Sequence, residues 1–246
     1  MSDPLSLDGR VVALTGAGRG LGLRTTRTLL ERGAHVIANV RTPTDELTAL
    51  GDAHAGRLHV CRGDIGEEST AEEIVRCAAG LGRLDALVHN AGIAKDQPLV
   101  RMPAEDWDAV QRVNLRGAFL ATKHALRPMM RARSGRLVYV SSVVAQTGNA
   151  GQASYAASKA ALHGLSLSVA QEYARYGIRS VVVSPGLLDT GLAGALPEKV
   201  FEQKAARSLT GVVPAERVAA AIAYLLHPDS ADINATVLRI DGGIAY

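Results

Sequence analysis

Aromatic residues are scarce in this chain: two Phe, one Trp and six Tyr make up 4% of its 246 residues. The core must therefore be assembled from Val, Leu, Ile and Ala, which suits helices packed on a Val-rich sheet. Cysteine is scarcer still. Cys61 and Cys77 form no CxxC pair and join no Cys/His cluster. That excludes a disulfide scaffold or thiolate metal site and implies buried or half-buried thiols in a reducing compartment. No apolar run reaches the ~18 residues of a membrane span, so no membrane helix is expected. Met1-Ser2-Asp3-Pro4 has neither the basic nor the apolar segment of a signal peptide, so the expected location is cytoplasmic. A lysine-rich run is also missing. The net charge is only +3, whereas a nucleic-acid footprint would need clustered basic residues, so no nucleic-acid partner is expected. Arg24/Arg27 and Arg131/Arg133/Arg136 read as solvated helix faces, with an acidic partner at 131–136 as the alternative.

What is present is a pattern. Short apolar runs alternate with longer helical ones. Val11–Leu14, His35–Ala38, Arg57–Cys61, Ala86–His89, Leu137–Val140, Ile178–Val183 and Thr236–Ile240 read as strands. They are continuously apolar, as strands covered on both faces must be. Helices are expected over Leu21–Arg32, Glu67–Leu81, Trp107–Arg133, Ser154–Tyr176 and Pro214–Leu226, the first stopped by Gly33 and the fourth by Gly177. The fold class is therefore α/β: one doubly wound domain over 1–246, with a seven-stranded parallel sheet flanked by helices. The segment Thr190–Gly211 has the weakest periodicity and is the expected substrate lid.

Between the first strand and the first helix lies Thr15-Gly16-Ala17-Gly18-Arg19-Gly20-Leu21-Gly22. Glycines there let the backbone approach a pyrophosphate, whose charge meets the free N–H groups of the helix N-terminus. A tight structural turn could have the same composition; strand, turn, helix and second strand within about 30 residues favour the nucleotide. An acid ending the second strand would bind the ribose 2′-hydroxyl of NAD. Here the run is Ala38-Asn39-Val40-Arg41-Thr42. Arg41 and Arg19 suit a 2′-phosphate, with Thr42 as a further contact, so NADP(H) is the expected cofactor unless both arginines are merely solvated.

Ser142 closes a strand, and Tyr155 and Lys159 follow four residues apart, on one helix face. A nearby ammonium stabilises a phenolate, which would make the phenol a usable acid. Ser142 could hold a substrate carbonyl. A Tyr/Lys pair at this spacing also arises by chance, as a surface tyrosine lying on a lysine stem.

With these residues together, the sequence resembles the short-chain dehydrogenase/reductases over essentially its whole length. The matching motifs are the Thr15–Gly22 turn, Asp64-Ile65, Asn90-Ala91-Gly92, Asn114, Ser142, Tyr155-xxx-Lys159, and Pro185-Gly186 with Thr190. The resemblance implies a Rossmann-like fold and a set of roles. Asp64 and Ile65 would flank the adenine. Asn90, Ala91 and Gly92 would line the cofactor behind the ribose. Asn114 would bind a water linking Lys159 to solvent. Tyr155 would be the proton donor, and Lys159 would also bond the nicotinamide ribose. Leu188 and Thr190, after Pro185-Gly186, would hold the carboxamide. Within the family the chain looks most like the 3-oxoacyl-[acyl-carrier-protein] reductases, through Gly92–Asp96, Ser142–Val144, Gly148–Gln152, Tyr155–Lys159 and the ending Asp241-Gly242-Gly243. That likeness implies a homotetramer built on the helices 107–133 and 154–176, and an acyl carrier protein bound near Arg133.

The chain departs from this pattern in places. His89 stands where the first Asn of Asn-Asn-Ala-Gly is usual, and Val181 replaces an Asn. Of the two arginines that would grip the carrier, Arg133 matches one. Tyr176 occupies the other place, with Arg175 beside it expected to point elsewhere. The expected reaction is reduction of a ketone to a secondary alcohol, on a 3-oxoacyl thioester or alternatively on a free ketone, alcohol or secondary-metabolite intermediate. The pocket would be lined by 94–97, 143–149 and the lid.

Overall fold

The computed structural model describes residues 5–191 and 198–244. The chain elements are β1 (Val11–Thr15), α1 (Gly20–Glu31), β2 (His35–Val40), α2 (Asp45–Ala53), β3 (Leu58–Arg62), α3 (Glu68–Gly80), β4 (Ala86–His89), α4 (Ala104–Gln111), α5 (Gly117–Ala132), β5 (Gly135–Val140), α6 (Val144–Thr147), α7 (Ala153–Tyr173), β6 (Ile178–Pro185), α8 (Glu198–Ala205), α9 (Ala215–Leu226) and β7 (Val237–Ile240). The seven strands form one sheet in the order β3-β2-β1-β4-β5-β6-β7. Every pairing is parallel. The expected seven-stranded Rossmann-like sheet is the one observed.

The sheet is buried on both faces because its apolar side chains alternate between two cores. Val12, Leu14, Val36 and Val138 pack with α1 and α9 on one side. Val11, Ala13, Ile37, Leu137 and Tyr139 pack with α3, α5 and α7 on the other. Strand order reverses between β1 and β4, which opens a crevice at their C-terminal ends, the place where doubly wound sheets bind ligands. Thr15, His89 and Tyr139 are register partners there.

Two expectations are corrected. The long helix expected from Trp107 to Arg133 is α4 and α5 joined by a π-helical turn over Arg112–Arg116. Arg136 is not on a solvated helix face: it lies in β5, is 7% exposed, and its guanidinium donates to the carbonyls of Leu225, Ser230 and Ile233. These carbonyls lie at and just beyond the C-terminus of α9, where a cation offsets the helix dipole. Within the expected lid, 198–205 is the helix α8, which buries none of its residues; residues 192–197 lie outside the described residues, as does Met1–Pro4.

Candidate active site

The glycine turn is held from three sides. A Cβ on Gly16 (φ +67°) would come within 2.8 Å of the Ala91 Cα. One on Gly22 would run into the Gly16 carbonyl and approach Asn90 Nδ2 to 2.7 Å. Asn90 explains this crowding, since its amide donates to the carbonyls of Thr15 (3.3 Å) and Gly16 (3.0 Å). Thr44 Oγ1 closes the third side by donating to the Gly18 carbonyl at 2.9 Å. Gly20 meets the segment after β6: a Cβ there would lie 3.0 Å from Gly191 Cα and 3.9 Å from Thr190 Oγ1.

The turn ends on the N-terminus of α1. Arg19 is the N-cap residue, no side chain caps the helix, and its first turn holds no acid. Leu21 and Gly22 are buried while Arg19 is exposed. The positive end of the helix thus has no acid in its own first turn and no side-chain cap, and a diphosphate fits that chemistry. Arg41 and Thr42 follow β2 directly and are both exposed. Asp64, across β3, accepts from Gly66 N at 2.9 Å and pairs with Arg112 at 2.8 Å. Burial pushes its carboxyl up, but hydrogen bonds from Arg112 and Gly66 and the nearby charge of Arg41 bring it below the usual range. Ile65 is buried against Gly117.

Asn114, Ser142, Tyr155 and Lys159 come together at the ends of β4 and β5. Asn114 is wholly buried in the π-helical turn. Its amide bonds both backbone groups of Ile93 and donates to Ser158 Oγ at 2.9 Å. Ser158 in turn donates to the Tyr155 carbonyl at 2.7 Å, so Asn114 is tied to the helix that carries the tyrosine. Asn114 reaches Ile93 from within the π turn, and such turns are frequent at functional sites. Lys159 Nζ donates to the Val140 carbonyl at 2.8 Å. It lies 5.8 Å from the Tyr155 ring centroid. A Cβ on Gly92 would sit 3.1 Å from Lys159 Nζ and 3.5 Å from Asn114 Oδ1, so the glycine leaves open the space between them.

The electrostatics differ from expectation in one respect. Burial drives the Lys159 ammonium down to about 8. Burial also pushes the Tyr155 phenol up to about 12, against a hydrogen bond from Ser142 that lowers it and with the Asp96 charge raising it further. The expected lowering by Lys159 is not among the influences on the phenol; its ammonium is bonded to the Val140 carbonyl and lies 5.8 Å from the ring centroid.

A family model for short chain dehydrogenase matches residues 10–200. The chain belongs to the short-chain dehydrogenase family. It is 38% identical over 244 residues to a 3-oxoacyl-[acyl-carrier-protein] reductase of Thermotoga maritima, covering 98% of this chain and 99% of the relative. Its identity to the Escherichia coli protein of the same name is 35% over 245 residues, with 98% and 99% covered. To a cis-4-hydroxycyclohexanecarboxylate dehydrogenase of Sinomonas cyclohexanicum it is 42% identical over 238 residues, with 95% and 96% covered. As a short-chain dehydrogenase, the protein is an oxidoreductase acting between C=O and CH–OH with a nicotinamide cofactor.

The remaining motif residues of the family stand around the same crevice. Pro185 ends β6, Gly186 N donates to the Ile240 carbonyl at 3.0 Å, and Leu188 pairs with Val213. A polar rim joins the two loops beside Tyr155: Gln152 donates to Asp96 at 2.7 Å, and Gln97 N to the Gly151 carbonyl at 2.8 Å. Farther away, Arg133 caps α5 in a left-handed conformation (φ 51°) against Gly177. Arg175 does not point elsewhere: its guanidinium lies 5.0 Å from the Tyr176 ring centroid, and that of Arg133 lies 5.9 Å from the same ring. Sequence reasoning passed over Ser158 and Thr44. Thr44, ahead of Asp45-Glu46, carried an N-cap signal; nothing local marked Ser158.

Among the described residues no helix is long and apolar enough to cross a membrane. Both cysteines are free thiols, Cys61 buried and Cys77 half-buried.

Proposed function

We propose that this chain uses NADPH to reduce the ketone of a 3-oxoacyl thioester to a secondary alcohol. The observation that carries the reading is that Tyr155 shares a hydrogen bond with Ser142 and lies 5.8 Å, ring centroid to Nζ, from Lys159, which stands with Asn114 beside Gly92. When bound, the nicotinamide dinucleotide would supply the hydride. The diphosphate would lie on the uncapped N-terminus of α1, with Gly16, Gly18, Gly20, Leu21 and Gly22 beneath it. Arg19, Arg41 and Thr42 would meet a 2′-phosphate, and Asp64 and Ile65 the adenine. Asn90, Ala91, Gly92, Pro185, Gly186, Leu188 and Thr190 would line the nicotinamide end.

The protein's own groups then handle the proton. Tyr155 holds it on the phenol, whose raised affinity keeps it protonated at neutral pH. Ser142 shares a hydrogen bond with that phenol and so holds the carbonyl oxygen beside it. A phenolate formed in the step is stabilised by Lys159, and Asn114 sets the helix geometry behind both. Residues 190–211 would act as the lid, and 1–246 as one catalytic domain.

The thioester reading is supported by the carrier-protein reductases among the relatives and by Arg133. A second reading, a free cyclic or small ketone or the corresponding alcohol, is favoured by the similarity to the hydroxycyclohexanecarboxylate dehydrogenase and by Tyr176 in place of a second arginine. Exposed Phe119 on α5 and Leu167 on α7 support a homotetramer built on those helices, and the two free thiols support a cytoplasmic setting. Turnover of NADPH with acetoacetyl thioesters and with free ketones tests the reading. Activity with the thioesters supports it; activity with free ketones alone moves the assignment to the second reading.

A further inference from the structure

His89 ends β4 with its side chain wholly enclosed. Its Nδ1 lies 3.1 Å from Thr15 Oγ1, and its Nε2 lies 3.2 Å from the backbone oxygen of Asn114. A carbonyl can only accept, so Nε2 carries the ring proton. Thr15 Oγ1 receives the backbone N–H groups of Asn90 (3.2 Å) and Ala91 (3.1 Å). Those two donors use both lone pairs of the hydroxyl, so its own hydrogen points at Nδ1. The pattern admits one arrangement: a neutral imidazole with Nε2 protonated. Burial favours the same state, taking the imidazole down to about 3, and the charge of Lys159 pushes the same way.

The two partners of this ring belong to different parts of the site. Thr15, at the end of β1, fixes the amides of Asn90 and Ala91. Asn114 lies in the π-helical turn between α4 and α5. We infer that His89 is a positioning residue that couples these parts: its near nitrogen sets the Thr15 hydroxyl that holds the 90–91 backbone, and its far nitrogen holds the turn that presents Asn114. The inference rests on the proposed function, in which the 90–92 backbone lines the cofactor and Asn114 stands behind Tyr155 and Lys159. The asparagine that is usual at this place has one amide, at about the distance of the ring's near nitrogen, and cannot span both.

That difference in reach supplies the test. The amide of Asn falls near the position of Nδ1 in a histidine, and the amide of Gln near that of Nε2. His89→Asn keeps an acceptor for Thr15 and loses the donor to Asn114; His89→Gln does the reverse. Leaving one buried polar group unpaired corresponds to about a tenfold loss. The larger loss in His89→Asn should be in kcat, and in His89→Gln in NADPH affinity measured by calorimetric titration. Equal losses of both quantities in the two variants, or no loss in either, would overturn the coupling. The calorimetric comparison holds even if no ketone is turned over, so failure of the proposed function is distinguished from failure of this inference. The wild-type protein gives a second measurement that needs no substitution: the nitrogen chemical shifts of His89 should report the neutral Nε2–H tautomer at pH 6. A protonated ring, or a proton on Nδ1, contradicts the inference.

Discussion

Asn114 grips Ile93 at both ends of one residue: its Oδ1 accepts from Ile93 N at 2.8 Å, and its Nδ2 donates to the Ile93 carbonyl at 3.0 Å. This pairing fastens the π turn to the loop after β4, and so brings a residue of the α4–α5 rod against Gly92 and Lys159. The cofactor end of the site depends on comparable fits between backbone segments.

In the proposed function, Arg41 is the residue on which the choice of dinucleotide would turn. A charge-assisted contact to a 2′-phosphate contributes about 1.5–3 kcal/mol, so Arg41→Ala should weaken NADPH roughly 10–100-fold and leave NADH nearly unchanged. Titration of both cofactors against wild type and variant checks this. Equal weakening of the two would remove the 2′-phosphate from the account.

Gly22 has no room for a methyl group, because the Gly16 carbonyl and Asn90 Nδ2 already fill that space. Gly22→Ala should destabilise the protein by about 3 kcal/mol and lower its Tm by roughly 6–12 °C, with cofactor binding impaired as the turn shifts. Thermal melting measures the first effect. An unchanged Tm would show that the turn yields freely.

Acid should weaken the fold through His89. Its folded value of about 3 lies below the ordinary 6.5, so the unfolded chain binds a proton that the folded one refuses. The stability held by the neutral ring is complete above pH 6.5 and is lost progressively as pH falls from there towards 3. Between pH 6.5 and 5 the loss is about 2 kcal/mol. Urea unfolding at the two pH values should show that difference in the wild type and lose it in His89→Asn. A slope unaffected by the substitution would place the acid sensitivity elsewhere.

Arg133 and Arg175 flank Tyr176 on an exposed surface. If an acidic carrier docks there, the double charge reversal Arg133→Glu and Arg175→Glu should lower kcat/KM for a carrier-bound substrate about tenfold or more, most strongly at low salt. A small thioester without the carrier should be reduced at the wild-type rate. Equal effects on both substrates would move the patch out of carrier recognition.

The strands were legible because a doubly covered strand must be apolar throughout, and Val11–Leu14 or Leu137–Val140 cannot be much else. The candidate site residues were legible as motifs, whereas the contacts that hold them were not. Ser158 and the partners of His89 lie far apart in the chain and meet only through the sheet and the π turn. That turn was hidden because one extra residue barely disturbs the apolar period of a long helix. Arg136 was misread because a cation in a strand carries no mark of the carbonyls, some 90–100 residues later, that receive it. The helix α2 was missed despite its Thr44 cap, since it buries only Leu47 and Leu50.

The central claim is that Tyr155 gives the proton to a ketone reduced by NADPH. Its most direct test is the turnover of acetoacetyl thioester and ketone substrates by Tyr155→Phe beside the wild type, with NADPH affinity measured on both. The account predicts a loss of at least about 100-fold in kcat, as removal of a general acid entails, with NADPH still bound. Near wild-type turnover by the phenylalanine variant would contradict it.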